Sequence, residues 1–132
     1  IRRQKKEFKM AKILLVDDDR DILEVLSLFL QAKGHEISAS TNSQDGMKAV
    51  KSFQPDLVVL DVMMVQPDEG IVMAQQLRRE GFSKPIILLT AISKVTGMTF
   101  GKDDDLVPVD AFVDKPVNPD SLLTKINELL KK

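Results

Sequence analysis

The stretch LVVLD at residues 57–61 consists of four apolar residues followed by one carboxylate. A continuous apolar run of this length predicts a strand that is buried on both faces, as in parallel sheets covered by helices on both sides. Because an unpaired carboxylate is costly to bury, we expect Asp61 to lie at the carboxyl end of this strand. Open parallel sheets place their ligand sites at that edge, so Asp61 is the first candidate functional residue.

Composition and charge restrict the class of protein. The 132 residues fit one domain, and 19 basic and 20 acidic side chains leave a formal charge of -1. This balance argues against binding to nucleic acid or to an anionic membrane through bulk charge. The chain has no cysteine, which excludes a disulfide framework and is compatible with the reducing cytoplasm, the location that we expect. No apolar run exceeds five residues, far fewer than the ~20 that span a bilayer.

Residues 1–9 are rich in basic side chains and poor in apolar ones. We interpret them as a basic tail or an expression remnant, and we expect residues 10–132 to form the domain. A basic arm that contacts nucleic acid is the alternative, but Phe8 is its only aromatic side chain. We therefore expect no direct contact with nucleic acid.

Four further segments predict strands, and helices alternate with them. The strand candidates are the runs at residues 13–16, 36–40, 85–89 and 111–113. The last helix is marked by Asn118 as its N-cap and Pro119 at its first position. Five strands and about five helices predict an α/β fold with a doubly wound parallel sheet of the flavodoxin-like strand order 2-1-3-4-5. Gly97 and Gly101 make the fourth helix weak or irregular.

Two details of this fold follow from the types of side chain. The first helix has an apolar stripe at helical spacing, which we expect to be buried. The stripe consists of Ile22, Val25, Leu26 and Phe29. His35 is the only histidine and follows Gly34, a residue typical of helix ends. We expect His35 to be an exposed turn residue without a catalytic role.

Polar side chains follow four of the predicted strands, namely Asp17 and Asp18, Asp61, Thr90 and Lys115. The predicted strand order brings them to one edge of the sheet. Carboxylates about 5 Å apart repel by roughly 3 kcal/mol at an effective dielectric constant near 20, so three of them need a cation. Oxygen ligands without His or Cys favour Mg²⁺, while the Lys115 ammonium and the Thr90 hydroxyl could bind phosphoryl oxygens. One aspartate would then serve as the nucleophile and form an acyl phosphate.

This set of residues resembles the site of bacterial response regulator receiver domains, the phosphorylated modules of two-component systems. The resemblance extends over residues 11–131 and rests on four motifs in family order. These are Asp17-Asp18, Asp61, Thr90-Ala91 and Lys115-Pro116. It implies that Asp61 accepts a phosphoryl group from the phosphohistidine of a sensor histidine kinase or of a phosphotransfer protein. It also implies a phosphoacceptor that assists its own phosphotransfer and autodephosphorylation and is not a conventional enzyme.

The resemblance further assigns a Mg²⁺ site and a backbone feature. It implies that Asp18, Asp61 and the backbone carbonyl of Met63 bind Mg²⁺ directly, and that Asp17 binds it largely through water. It also implies that the peptide bond before Pro116 is cis.

The chain departs from the family pattern at three places. After Asp61, the family's Asp-x-x-Met-Pro-x-x-x-Gly is altered, since the glycine comes one residue late, at Gly70, and the proline is displaced to Pro67. The segment between the fourth and fifth strands is longer than usual, and we expect residues 92–109 to move and to report phosphorylation to an unknown downstream protein. Phe112 stands where the family often has tyrosine, which excludes an output contact through a tyrosine hydroxyl.

Two other classes of function stay open at this point. A Mg²⁺-dependent hydrolase of the phosphatase type would need an acid two residues after its nucleophile, but Met63 stands two residues after Asp61. A receiver-like interaction module that is never phosphorylated would be expected to lack part of the site, yet all five positions are filled. The sequence therefore favours a switch controlled by phosphorylation.

Overall fold

The computed structural model describes residues 10–64, 66–90 and 108–131. Strands and helices alternate over residues 12–90, as the sequence predicts. In chain order they are β1 (Lys12–Val16), α1 (Arg20–Ala32), β2 (Glu36–Ser40), α2 (Ser43–Phe53), β3 (Leu57–Asp61), α3 (Glu69–Arg79), β4 (Ile86–Thr90), β5 (Ala111–Asp114) and α4 (Pro119–Leu130). The helix predicted between β4 and β5, and most of the segment predicted to move, fall in residues 91–107, which lie outside the described residues.

The five strands form one parallel sheet in the order β2-β1-β3-β4-β5. This confirms the predicted doubly wound sheet with β2 at one edge. β3 is the central strand, and each of its residues, including Asp61, is buried. The register pairs Val16 of β1 with Leu60, and Leu89 of β4 with Asp61. The carboxyl ends of these three strands therefore lie side by side.

Helices cover both faces of the sheet, and β3 contributes to both cores. Leu57 and Val59 belong to the core that α1 and α4 cover, whereas Val58 and Leu60 belong to the core that α2 and α3 cover. Burying one such aliphatic side chain contributes about 1.5–3 kcal/mol. The run that predicted a strand buried on both faces is thus the element on which the two cores meet.

The buried stripe of α1 differs from the predicted one. Of the predicted residues, Leu26 is buried, Ile22 and Phe29 are half-buried against the same core, and Val25 is 57% exposed. Leu23 and Leu30, outside the predicted stripe, are also buried. Apolar residues occur on more than one side of this helix, so helical spacing alone fits two stripes that are offset by one residue. Contact with the sheet selects between them. The start of α4 is as predicted, with Asn118 as its N-cap.

The prediction that His35 is an exposed turn residue is wrong. His35 is only 6% exposed, and its Nδ1 accepts a hydrogen bond from the backbone N–H of Ala11 at 3.2 Å. Gly34, with φ of 98°, turns the chain after α1, and the His35 N–H then donates to the carbonyl of Leu30. The side chain satisfies a buried backbone donor next to β1, a requirement that sequence spacing cannot reveal.

Burial lowers the pKa of His35 from its ordinary value of 6.5, which predicts a pH-dependent stability. Below that value the unfolded chain binds a proton that the folded chain does not, so the free energy of unfolding falls as the pH is lowered. We expect this fall, between about pH 7 and about pH 5, to be steeper in the wild type than in His35→Asn. Asparagine can place an amide oxygen where Nδ1 accepts from Ala11.

Urea unfolding at a series of pH values would measure this difference. Far-UV circular dichroism is the suitable probe because the chain has no Trp or Tyr. Titration of other groups is common to both proteins and largely cancels in the comparison, provided those groups lie far from residue 35. Parallel pH profiles for the two proteins would contradict the prediction.

Candidate functional site

The predicted polar residues gather where the strands end. Asp17 follows β1, Asp61 ends β3 and Thr90 ends β4. Lys115 follows β5, and its backbone N–H donates to the carbonyl of Thr90 at 3.1 Å. Asp17, Asp61 and Thr90 are buried, whereas Asp18 is exposed. The strand order thus brings residues that are distant in sequence to one edge of the sheet, as expected for this fold.

Three carboxylates form the centre of this edge. One oxygen atom from each of Asp17, Asp18 and Asp61 can be chosen so that all three atoms lie within 4.8 Å of one another. Asp17 and Asp61 are each only 2% exposed, so solvent screens their charges poorly. A cluster of this kind needs positive charge nearby.

Lys115 supplies part of that charge. Its Nζ lies 2.8 Å from Oδ1 of Asp61 and 3.8 Å from Oδ2 of Asp17. Burial lowers the pKa of Lys115, but the hydrogen bond to Asp61 and the charges of Asp61, Asp17 and Asp18 outweigh that effect and leave the pKa raised. The side chain therefore stays an ammonium group pointed at the central strand.

Asp17 carries the unsatisfied atom of the cluster. Its Oδ1 accepts from the backbone N–H of Asp19 at 2.9 Å, and Asp19 in turn caps α1. Its Oδ2 is buried and has no hydrogen-bond partner among the described residues. Burial, and after it the negative charge of Asp61, raise the pKa of Asp17 to about 6, although the Asp19 N–H and Lys115 oppose this.

The carboxylate oxygens of this cluster are suitable ligands for a hard divalent cation. A buried carboxylate oxygen without a donor, next to two further carboxylates, is stabilised by a cation that accepts oxygen ligands. The cluster offers neither histidine nor thiolate, which favours Mg²⁺ over zinc or copper. The donor set therefore matches the metal that the sequence predicted.

The loop after Asp61 resolves the departure from the family pattern. The backbone of Gly70 lies so close to that of Asp61 and Val62 that a Cβ at Gly70 would overlap the carbonyl oxygen of Asp61. The Gly70 N–H donates to the carbonyl of Val62 at 2.9 Å. The displaced glycine therefore still makes the close approach that only glycine permits.

Met63 lies in this loop with its side chain 51% exposed, between the buried Val62 and Met64. Within the described part of the chain, no hydrogen bond is accepted by the Met63 carbonyl. A carbonyl in this state is able to act as a ligand. The cis bond before Pro116 is present as predicted. Phe112 is half-buried and packs against the core under α2 and α3.

One residue of the site region was missed from the sequence. The carboxylate of Glu69 accepts from the backbone N–H of Gln66 and from the hydroxyl of Ser43. An acidic residue at the first position of a helix is generally stabilised by the helix N-terminus, and this interaction was predictable from the sequence. Its contact with a second helix depends on packing and was not.

A family model described as the response regulator receiver domain matches residues 13–127. Among curated proteins, the alkaline phosphatase synthesis transcriptional regulatory protein PhoP of Bacillus subtilis is 32% identical over 125 residues, which are 92% of this chain and 49% of the relative. Response regulator MprA of Mycolicibacterium vanbaalenii is 35% identical over 122 residues, covering 92% of this chain and 51% of MprA. The chain spans about half the length of these relatives.

Solved structures agree with these matches. The receiver domain of the Francisella response regulator 1452 superposes with a TM-score of 0.78 at 26% identity, covering 92% of this chain and 97% of that one. Response regulator TrrA of Thermotoga maritima, in complex with Mg²⁺ and BeF, superposes with a TM-score of 0.76 at 35% identity, covering 91% and 99%. No helix within the described ranges is long and apolar enough to cross a membrane. The chain belongs to the response regulator receiver domain family.

Proposed function

We propose that this chain is a signalling switch in which Asp61 accepts a phosphoryl group from the phosphohistidine of a sensor histidine kinase or of a phosphotransfer protein. Receiver domains of two-component systems are phosphoacceptors that work with such donors. The observation that carries the proposal is the contact of 2.8 Å between Lys115 Nζ and Asp61 Oδ1, at the end of the central strand and within a cluster of carboxylates. A buried carboxylate, an ammonium group and further carboxylate oxygens thus lie in one place, which supports the proposal.

The proposed step is a displacement at phosphorus. A carboxylate oxygen of Asp61 forms the new P–O bond, the P–N bond to the donor's imidazole breaks, and the electron pair stays on the ring nitrogen. The product is an acyl phosphate. The ammonium of Lys115 is able to hold one phosphoryl oxygen and the hydroxyl of Thr90 another, so that the charge of the transferred group is balanced as it moves.

Mg²⁺ is the cofactor that the site would hold. Its ligands would be Asp18, Asp61 and the carbonyl of Met63, with Asp17 acting largely through water. When bound, Mg²⁺ would neutralise part of the charge on the carboxylates and on the phosphoryl oxygens. The buried oxygen of Asp17 that has no donor within the described residues supports this role.

Other parts of the proposal concern the fate of the phosphorylated chain. We infer that the acyl phosphate is hydrolysed at the same site, which makes the chain assist its own autodephosphorylation without being a conventional enzyme. The downstream protein is unknown, and a direct contact with nucleic acid or with a membrane is not expected. The cytoplasmic location, the domain boundary at residue 10 and the signalling role of residues 92–109 stay predictions.

Labelling with a small acyl phosphate tests the proposal. We expect acetyl phosphate with Mg²⁺ to add a single phosphoryl group that peptide mass mapping assigns to Asp61, and we expect Asp61→Asn to stay unlabelled. Removal of Mg²⁺ with a chelator should abolish labelling of the wild type. A phosphoryl group on Asp17 or Asp18, or full labelling of Asp61→Asn, would contradict the assignment. A folded wild type that binds Mg²⁺ but is labelled nowhere would favour the unphosphorylated interaction module.

A further inference from the structure

We propose that Glu69 is a positioning residue that holds the loop carrying the Met63 carbonyl in the geometry that Mg²⁺ requires. This inference rests on the proposed function of the site and adds to it a residue outside the cluster of acids. Glu69 itself is not one of the carboxylates that come together in that cluster within the described residues. Its effect on the metal would therefore act through the loop.

The two ends of the loop are tied by the backbone. The N–H of Val62 donates to the carbonyl of Leu89 in β4 at 3.0 Å, and the N–H of Gly70 donates to the carbonyl of Val62 at 2.9 Å. The first bond holds Val62, the first residue of the loop, to the sheet. The second bond holds Gly70, the second residue of α3, to Val62. They do not reach the middle of the loop, where Met63 and its neighbours lie.

Glu69 ties the middle of the loop to α2. Its Oε1 accepts from the backbone N–H of Gln66 at 3.1 Å. Its Oε2 accepts from the hydroxyl of Ser43 at 2.6 Å and from the Ser43 backbone N–H at 3.4 Å. The Gln66 carbonyl then accepts from the N–H of Met64 at 3.2 Å. Hydrogen bonds therefore run from α2 through Glu69 and Gln66 to the residue after Met63.

The charge of Glu69 strengthens this link. Glu69 is the first residue of α3, and Ser43 is the first residue of α2. The carboxylate therefore lies at the positive ends of two helices, where a negative charge is stabilising. Hydrogen bonds to an ionised acceptor are shorter and stronger than those between neutral groups. One carboxylate thus fixes the distance between two helix starts and a loop.

The extra residue of the loop is the reason that a restricting contact from Glu69 matters. Gly70 comes one residue later than in the family pattern, so the segment from Asp61 to Gly70 is one residue longer, and a longer loop in general has more conformations to restrict. A ligand on a loop with additional freedom loses affinity unless other contacts restrict it, since ordering costs conformational entropy. The bonds of Glu69 to Gln66 and Ser43 supply that restriction.

A Mg²⁺ titration followed by backbone amide NMR tests the proposal on folded protein. We expect Glu69→Ala to raise the Mg²⁺ dissociation constant about tenfold, the size of effect seen when partners that orient metal ligands are removed. Ser43→Ala should raise it less, because the Ser43 backbone N–H and Gln66 still bind the carboxylate. Glu80→Ala is the matched control, since Glu80 lies just past the other end of α3 and its carboxylate accepts a hydrogen bond from the side chain of the exposed Gln76 at 3.1 Å. It should bind Mg²⁺ as the wild type does.

The rate of labelling by acetyl phosphate separates positioning from general destabilisation. For Glu69→Ala we expect the Mg²⁺ concentration at half-maximal rate to rise about tenfold, while the rate at saturating Mg²⁺ stays within about twofold of the wild type. A lower plateau with an unchanged midpoint would indicate a purely structural role and overturn the inference. If the wild type is labelled and a folded Glu69→Ala binds Mg²⁺ as tightly as the wild type does, the role of Glu69 is overturned but the proposed function is not. A wild type that binds no Mg²⁺ would overturn the proposed function as well.

Discussion

Gly70→Ala is expected to lower the free energy of unfolding by about 3 kcal/mol or more, the upper range for overpacking in a close-packed interior. The added Cβ would overlap the carbonyl oxygen of Asp61 and crowd the backbone of Val62. Backbone atoms of a central strand cannot rotate away as the end of a side chain can, so α3 or β3 has to shift. Such a shift would stretch the hydrogen bond from Gly70 to Val62 and move Asp61, the proposed phosphoacceptor.

Gly46→Ala is the matched control for this prediction. Gly46 is also a buried helical glycine, but the three atoms nearest to its added Cβ would all belong to side chains, first the Cε of Met73 and then the two methyl groups of Val16. Methionine adapts readily, and alanine is preferred over glycine in helices by about 1 kcal/mol. We expect Gly46→Ala to remain within about 1 kcal/mol of the wild type. Equal stability of the two variants in urea unfolding would contradict the role assigned to Gly70.

Lys115→Ala is expected to have opposite effects on the metal and on the phosphoryl group. A unit charge and a divalent cation in the same site repel by roughly 1–2 kcal/mol even in a water-like medium. Removing the ammonium should therefore leave Mg²⁺ affinity unchanged or raise it up to about tenfold. Labelling of Asp61 by acetyl phosphate should slow by on the order of a hundredfold, as expected when one stabilising group is removed from a developing anion.

Two comparisons make the Lys115 prediction specific. Lys115→Met retains the aliphatic part of the side chain and should behave like Lys115→Ala if charge is the cause. Lys125→Ala removes a half-buried lysine that pairs with Glu128 on α4, and neither Mg²⁺ affinity nor labelling should change. A sharp loss of Mg²⁺ affinity in both Lys115 variants would show that the lysine instead holds the carboxylates in place.

The sheet and the positions of the site residues were predictable because each depends on a local pattern. A continuous apolar run predicts a strand buried on both faces, and handedness and strand order then decide where its end lies. Asp61 at the end of β3 and Lys115 after β5 are consequences of that rule. Their contact at 2.8 Å required only that both strand ends reach the same edge.

Contacts made by packing were not predictable. His35 is buried because the N–H of Ala11 needs an acceptor, and Glu69 reaches Ser43 because two helices start side by side. Arg78 is a further case, since its guanidinium binds the carboxylate of Asp110 at 2.9 Å together with several backbone carbonyls. Ion pairs between the same types of residue on an exposed surface contribute little. Only the neighbouring elements distinguish the two situations.

The strand pairing has a consequence for the order in which the protein forms during synthesis. β1 pairs with β3 across more than forty residues, as in the pair of Ile13 with Leu57, and loops of that length close slowly. The acidic residues at the carboxyl ends of β1 and β3 are synthesised well before Lys115. A nascent chain that ends before β5 therefore presents carboxylates without their ammonium partner, and we expect it to be neither a stable domain nor a phosphoacceptor. If Asp61 is the phosphoacceptor, the ability to be phosphorylated would thus arise only once the last strand and helix have been synthesised.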